Sequence, residues 1–172
     1  MLDNSLARSL QTDDGLYYHM LMLEGGQHEK FDAALENALE TENPLSDLVL
    51  ALATSGGDMN RQLSYIKEHL SQTDISAIDS NRVFDHVIAD LRELYEAKEM
   101  PINRLTWLMY SVAWNSGWCQ KKLWQSLYYM DDYYNLLYYG VLRQEEFDKT
   151  IKALLYDRQE INPMTRFSVQ DR

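Results

Sequence analysis

One cysteine, three prolines, seven glycines and four histidines are all that 172 residues provide of the types that staple, kink, turn or ligate. Each shortage excludes something. Cys119 alone cannot build an internal disulfide framework, which points to a reducing, cytoplasmic setting. A chain this poor in glycine and proline is not a turn-rich all-β fold, because tight turns are made of those residues. His19, His28, His69 and His86 are too few and too scattered for a zinc site, and the repeated Glu-x-x-His of a di-iron bundle is missing, so no metal or other cofactor is expected. The longest aliphatic run, Leu48 to Ala53, falls far short of the ~20 residues that cross a bilayer. The opening Met1-Leu2-Asp3-Asn4 puts acid where a signal peptide needs base, so neither export nor a membrane partner is expected. The pairs Gly25-Gly26 and Gly56-Gly57 match neither phosphate-loop nor dinucleotide spacing and read as helix stops.

What the chain does hold is aromatic. All four tryptophans (Trp107, Trp114, Trp118, Trp124) fall in one stretch together with Tyr110, Tyr128, Tyr129, Tyr133, Tyr134, Tyr138 and Tyr139. Each ring buries on the order of 150–250 Å² when covered, so this segment is expected to form the dry interior, with a tyrosine of each pair at its rim. The acid lies elsewhere. Residues 1–100 carry 19 Asp and Glu against 7 Lys and Arg, whereas residues 101–172 carry 8 against 9, within a net charge of −11. Such a field repels nucleic acid and favours encounter with basic proteins.

Periodicity is helical throughout. Asp13-Asp14-Gly15 reads as a turn, Leu16 to Leu23 as a short helix buried nearly all round, and Phe31, Ala34, Leu35, Ala38 and Leu39 as the apolar face of the next. Asn43-Pro44 reads as N-cap and first helical position of a segment carrying Leu48, Val49 and Leu52. Asp58 caps a helix with Met59, Leu63, Ile66 and Leu70 inward. The helix over 81–98 shows the broadest stripe, with Asp85, Asp90, Glu93 and Glu96 facing outward. After Pro101, two apolar faces on one helix (Leu105, Leu108, Met109, Val112 and Trp107, Tyr110, Trp114) predict burial on both sides. Trp118 to Tyr129 predicts another helix, Asp131-Asp132 the cap of a separate short turn closed at Gly140, and Gln144 to Tyr156 the last helix. The expectation is a single all-α domain over residues 1–156, of about seven or eight helices in a bundle or orthogonal array around an aromatic-rich central helix. Residues 157–172 are expected as a loosely ordered tail.

No constellation of catalytic residues stands out, and Cys119 beside Trp118 reads as a quiet structural thiol. The run Gly140-Val141-Leu142-Arg143-Gln144-Glu145-Glu146-Phe147, followed by Leu154-Leu155, resembles the short helical module called SHOCT. That resemblance implies an interaction element and leaves a homo-oligomer open. The composition favours a non-enzymatic protein-binding module that engages a basic partner, analogous to immunity proteins and toxin inhibitors. Its expected contact residues are Asp85, Asp90, Glu93 and Glu96, with Asp131, Asp132 and Tyr133 as a second patch. A small-molecule site or enzyme with an aromatic-lined pocket attended by His86 or His19 is the alternative. A DNA mimic is a further one.

Overall fold

The computed structural model describes residues 8–161, and the part of the expected tail from Asn162 onward lies outside them. Among the described residues there are eight α-helices and no strand. In chain order they are α1 (Asp13–Glu24), α2 (Glu29–Thr41), α3 (Asp47–Thr54), α4 (Met59–Leu70), α5 (Ser80–Ala97), α6 (Ile102–Asn115), α7 (Lys122–Tyr138) and α8 (Gln144–Asp157), with single 3₁₀ turns at Ser9–Gln11 and Ile75–Ala77. No helix is long and apolar enough to cross a membrane. The chain divides into two compact units, one ending at Val87 and the other beginning at Ile88, and each is described by itself.

In the first unit, α1 is the hub. It packs on α4 and on the 3₁₀ turn before it, and Leu16, Tyr18, Leu21, Met22 and Leu23 are all buried. The sequence Asp13-Asp14-Gly15 is the first turn of this helix and not a loop. Thr12 accepts a hydrogen bond from the Gly15 N–H at 3.2 Å, and the two aspartates sit where the helix dipole favours negative charge. Gly15 is there for another reason, since a Cβ would collide with the backbone of Ser9. The helix carrying Val49 and Leu52 begins at Asp47, later than Asn43-Pro44 suggested, because the Ser46 hydroxyl accepts from Val49 N–H at 3.3 Å. Asp58 caps α4 through the N–H groups of Asn60 and Arg61. On that helix Ile66 and Leu70 are buried, with Gln62 in the position expected of an apolar residue, while Met59 stays exposed.

In the second unit, α6 and α7 form the most extensive contact and α8 packs on α7. Leu105, Leu108, Met109 and Val112 face inward from α6, Trp124, Leu127, Met130 and Tyr133 from α7, and Phe147, Ile151, Leu154 and Leu155 from α8. Two expectations are corrected. Trp118 lies in the turn before α7, and Asp131-Asp132 caps nothing: α7 runs unbroken from Lys122 to Tyr138. No glycine or proline interrupts that stretch, and two mid-helix aspartates cost too little to end it once one face is packed. The second face of α6 is not buried either. Trp107 is 49% and Trp114 61% exposed, so the aromatic segment supplies both an interior and a surface.

Candidate aromatic and acidic surface on the second unit

The carboxylates expected to face a partner do not all do so. Asp85, Glu93 and Glu96 on α5 are exposed, but Asp90 is buried at 7% exposure and is not without a partner there. Its spacing explains the miss: Val83, Val87, Asp90 and Leu94 fall at i, i+4, i+7 and i+11, which places Asp90 within the apolar stripe. Glu96 accepts a hydrogen bond from the Tyr156 hydroxyl at 2.6 Å. That bond, more than any other influence, raises the tyrosine's pKa. On α7, Asp131 is half-buried, Asp132 exposed and Tyr133 buried at 4%. Tyr133 continues the three-residue spacing of Trp124, Leu127 and Met130, a phase that is hidden when α7 is read as two pieces.

Beside Asp132 stands Tyr128, one of a group of rings that includes Trp114, which the density of aromatics predicts to be interior. Tyr110 and Trp114, one helical turn apart on α6, lie nearly parallel, with centroids 6.4 Å apart and planes inclined by 10°. Tyr128 of α7 meets both, at 4.9 Å from Tyr110 and 6.2 Å from Trp114, and Tyr129 stands edge-on to it at 5.6 Å. Tyr110, Tyr128 and Tyr129 are half-buried and Trp114 mostly exposed. The packing of α6 on α7 makes this ledge, because it sets Tyr110 and Trp114, from the last two turns of one helix, against Tyr128 in the second turn of the other. Asp132 follows Tyr128 by four residues and so lies on the same face of α7. Loss of solvent raises the Tyr128 hydroxyl pKa, with Tyr110 and Asp132 adding to it. Partial desolvation, and then Asp131, lift the Asp132 carboxyl above the ordinary carboxylate range.

Other candidates are structural or of different character. The Cys119 thiol donates to the Ala113 carbonyl at 2.9 Å, and burial pushes its pKa up. Among the described residues no three His, Cys, Asp or Glu side chains gather closely enough to hold a metal ion. His19 is enclosed in the first unit at 1% exposure, with Nε2 2.7 Å from Ser9 Oγ. His86 faces the ring of Tyr18, at 5.3 Å between centroids. A cleft of about 700 Å³ opens in the first unit, but its walls include Leu10, Leu48, Asp13, Glu42, Asp47 and His69 and no tryptophan or tyrosine, unlike the aromatic pocket that the alternative reading required. No family model matches the chain, and no curated protein and no solved structure matches it.

Proposed function

We propose that this protein is a non-enzymatic, cytoplasmic protein-binding module, and that it engages a basic partner through the ledge of Tyr110, Trp114 and Tyr128 with Asp131 and Asp132 at its side. One observation carries the reading: Trp114 is 61% exposed within a stacked aromatic group. Exposed clustered rings are costly in water, and tryptophan and tyrosine are the residues that most often dominate binding energy at protein interfaces. The adjoining carboxylates, and the net charge of −11, set the sign of the partner and favour fast encounter with it.

The test is affinity capture on the immobilised chain, comparing wild type with a Trp114→Ala, Asp132→Asn double variant at low and high salt. Basic proteins should be retained by the wild type at low salt, reduced at high salt by screening, and lost from the variant. Equal recovery on both forms would sink the assignment to this surface.

A further inference from the structure

We propose that the ledge reads arginine: a partner's guanidinium lies flat on the exposed Trp114 ring, beside Tyr110 and Tyr128, and pairs with Asp132. This rests on the proposed binding function and names the chemistry that it recognises. The rings supply the platform. Tyr110 and Trp114 lie nearly parallel, and Tyr128 packs against both at an incline, holding the exposed Trp114 ring in place. A cation over such faces is attracted by their quadrupoles. Trp114 also belongs to the last turn of α6, the end at which the helix dipole favours positive charge.

The acids supply the counter-charge. Asp131 and Asp132 are neighbours whose mutual repulsion is one cause of the raised Asp132 carboxyl, and an incoming cation relieves that repulsion. Among the described residues, the two lysines at the start of α7 are engaged elsewhere: Lys121 lies over the Trp118 ring at 5.4 Å, and Lys122 pairs with Glu160 at 3.4 Å.

Arginine fits better than lysine because its charge is planar, delocalised and weakly hydrated, so one group can stack on a ring and bond a carboxylate edge-on at once. A compact ammonium does one or the other. The same unit holds the stacking half of this arrangement internally: Arg92 lies over the Tyr156 ring at 5.0 Å while its N–H groups bond the Leu155 carbonyl.

The experiment titrates the full, ¹⁵N-labelled chain with two synthetic peptides of equal length and charge, one bearing three arginines spaced by Gly-Ser, the other three lysines in their place. The arginine peptide should move the Trp114 indole N–H resonance and bind about tenfold more tightly than the lysine peptide. Trp114→Ala and Asp132→Asn should each weaken it at least about fivefold. Ile75→Ala, which removes an exposed apolar side chain of the first unit, should leave binding unchanged. Thermal unfolding of each variant separates loss of binding from loss of fold, and Asp132→Asn should not lower the midpoint at neutral pH because its carboxylate is already disfavoured. Equal binding of the two peptides overturns the arginine reading while leaving a basic partner in place. Binding of neither, with a proline-rich peptide moving the Trp114 resonance instead, overturns both. Concentration-dependent dimerisation abolished by Trp114→Ala would make a second copy the occupant and likewise overturns both.

Discussion

His19 shows what a single buried polar residue does to a small helical unit. Its Nε2 lies 2.7 Å from Ser9 Oγ, and its ring packs between those of Tyr18 and Phe31, at 4.6 and 5.6 Å. Burial, and then the charge of His86, lower its pKa from 6.5 to about 3. The unfolded chain therefore takes up this proton as the pH falls through 6.5, and the folded one does not until about 3. The depressed value means that the stability is whole above 6.5 and drains away in the window between the two, reaching roughly 2–3 kcal/mol at pH 4.5. Urea unfolding of wild type and His19→Gln at pH 7 and pH 4.5 tests this: the acid-induced loss should be smaller in the variant by about that amount, and identical losses would refute it. The burial of His19 was legible in the sequence, because Leu16 to Leu23 is apolar nearly all round. Its partner was not, since Ser9 is ten positions away and belongs to a turn without period. Gly15 is similar: beside two aspartates it suggested a loop, and only the approach of the Ser9 backbone explains it as a helical glycine.

At the scale of elements, the second unit is fastened by a cation at the end of α8. Arg92 donates from Nε and a terminal nitrogen to the Leu155 carbonyl, at 3.1 and 2.6 Å, one of the last-turn carbonyls that a helix leaves without an internal partner. Arg92→Ala should cost about 1–3 kcal/mol and accelerate hydrogen exchange in the last turns of α8 more than in α6. Arg92→Lys should recover little, because one ammonium cannot reproduce the fork or the stacking on Tyr156. Unchanged exchange in α8 would remove Arg92 from this role. Helices with a plain stripe were readable in advance: α2, α4, α5 and α8 begin and end within a few residues of their expected limits. The failures came where apolar residues covered more than one face. Along α7, Trp124, Leu127, Met130 and Tyr133 mark one buried line, but the tyrosines between them blur it, and Asp131-Asp132 looked like an N-cap. That break in phase sent Tyr133 outward in the reading and concealed the juxtaposition of Asp132 with Tyr128.

Across the whole molecule, the expected partition of an aromatic interior and an acidic exterior holds only by half. Phe31 and Trp124 are interior as expected, and Phe84 and Phe147 join them, whereas Trp107, Trp114, Tyr138 and Tyr139 are exposed. Density of rings along the chain predicts burial only while there are enough faces to cover them, and α6 carries two apolar faces without covering both. Charge counting had the same weakness. It favours the acidic first hundred residues for the main contact surface, yet the carboxylate beside the Tyr110, Trp114 and Tyr128 group is Asp132 of the expected second patch, in a stretch whose net charge is close to neutral. The indoles divide evenly, with Trp118 and Trp124 buried and Trp107 and Trp114 in water. The protein's intrinsic emission is therefore the sum of a blue component from the enclosed pair and a red one from the solvated pair. Acrylamide should quench the red component first, so an aqueous quencher can monitor the outer rings while the inner pair reports on folding, with no label attached.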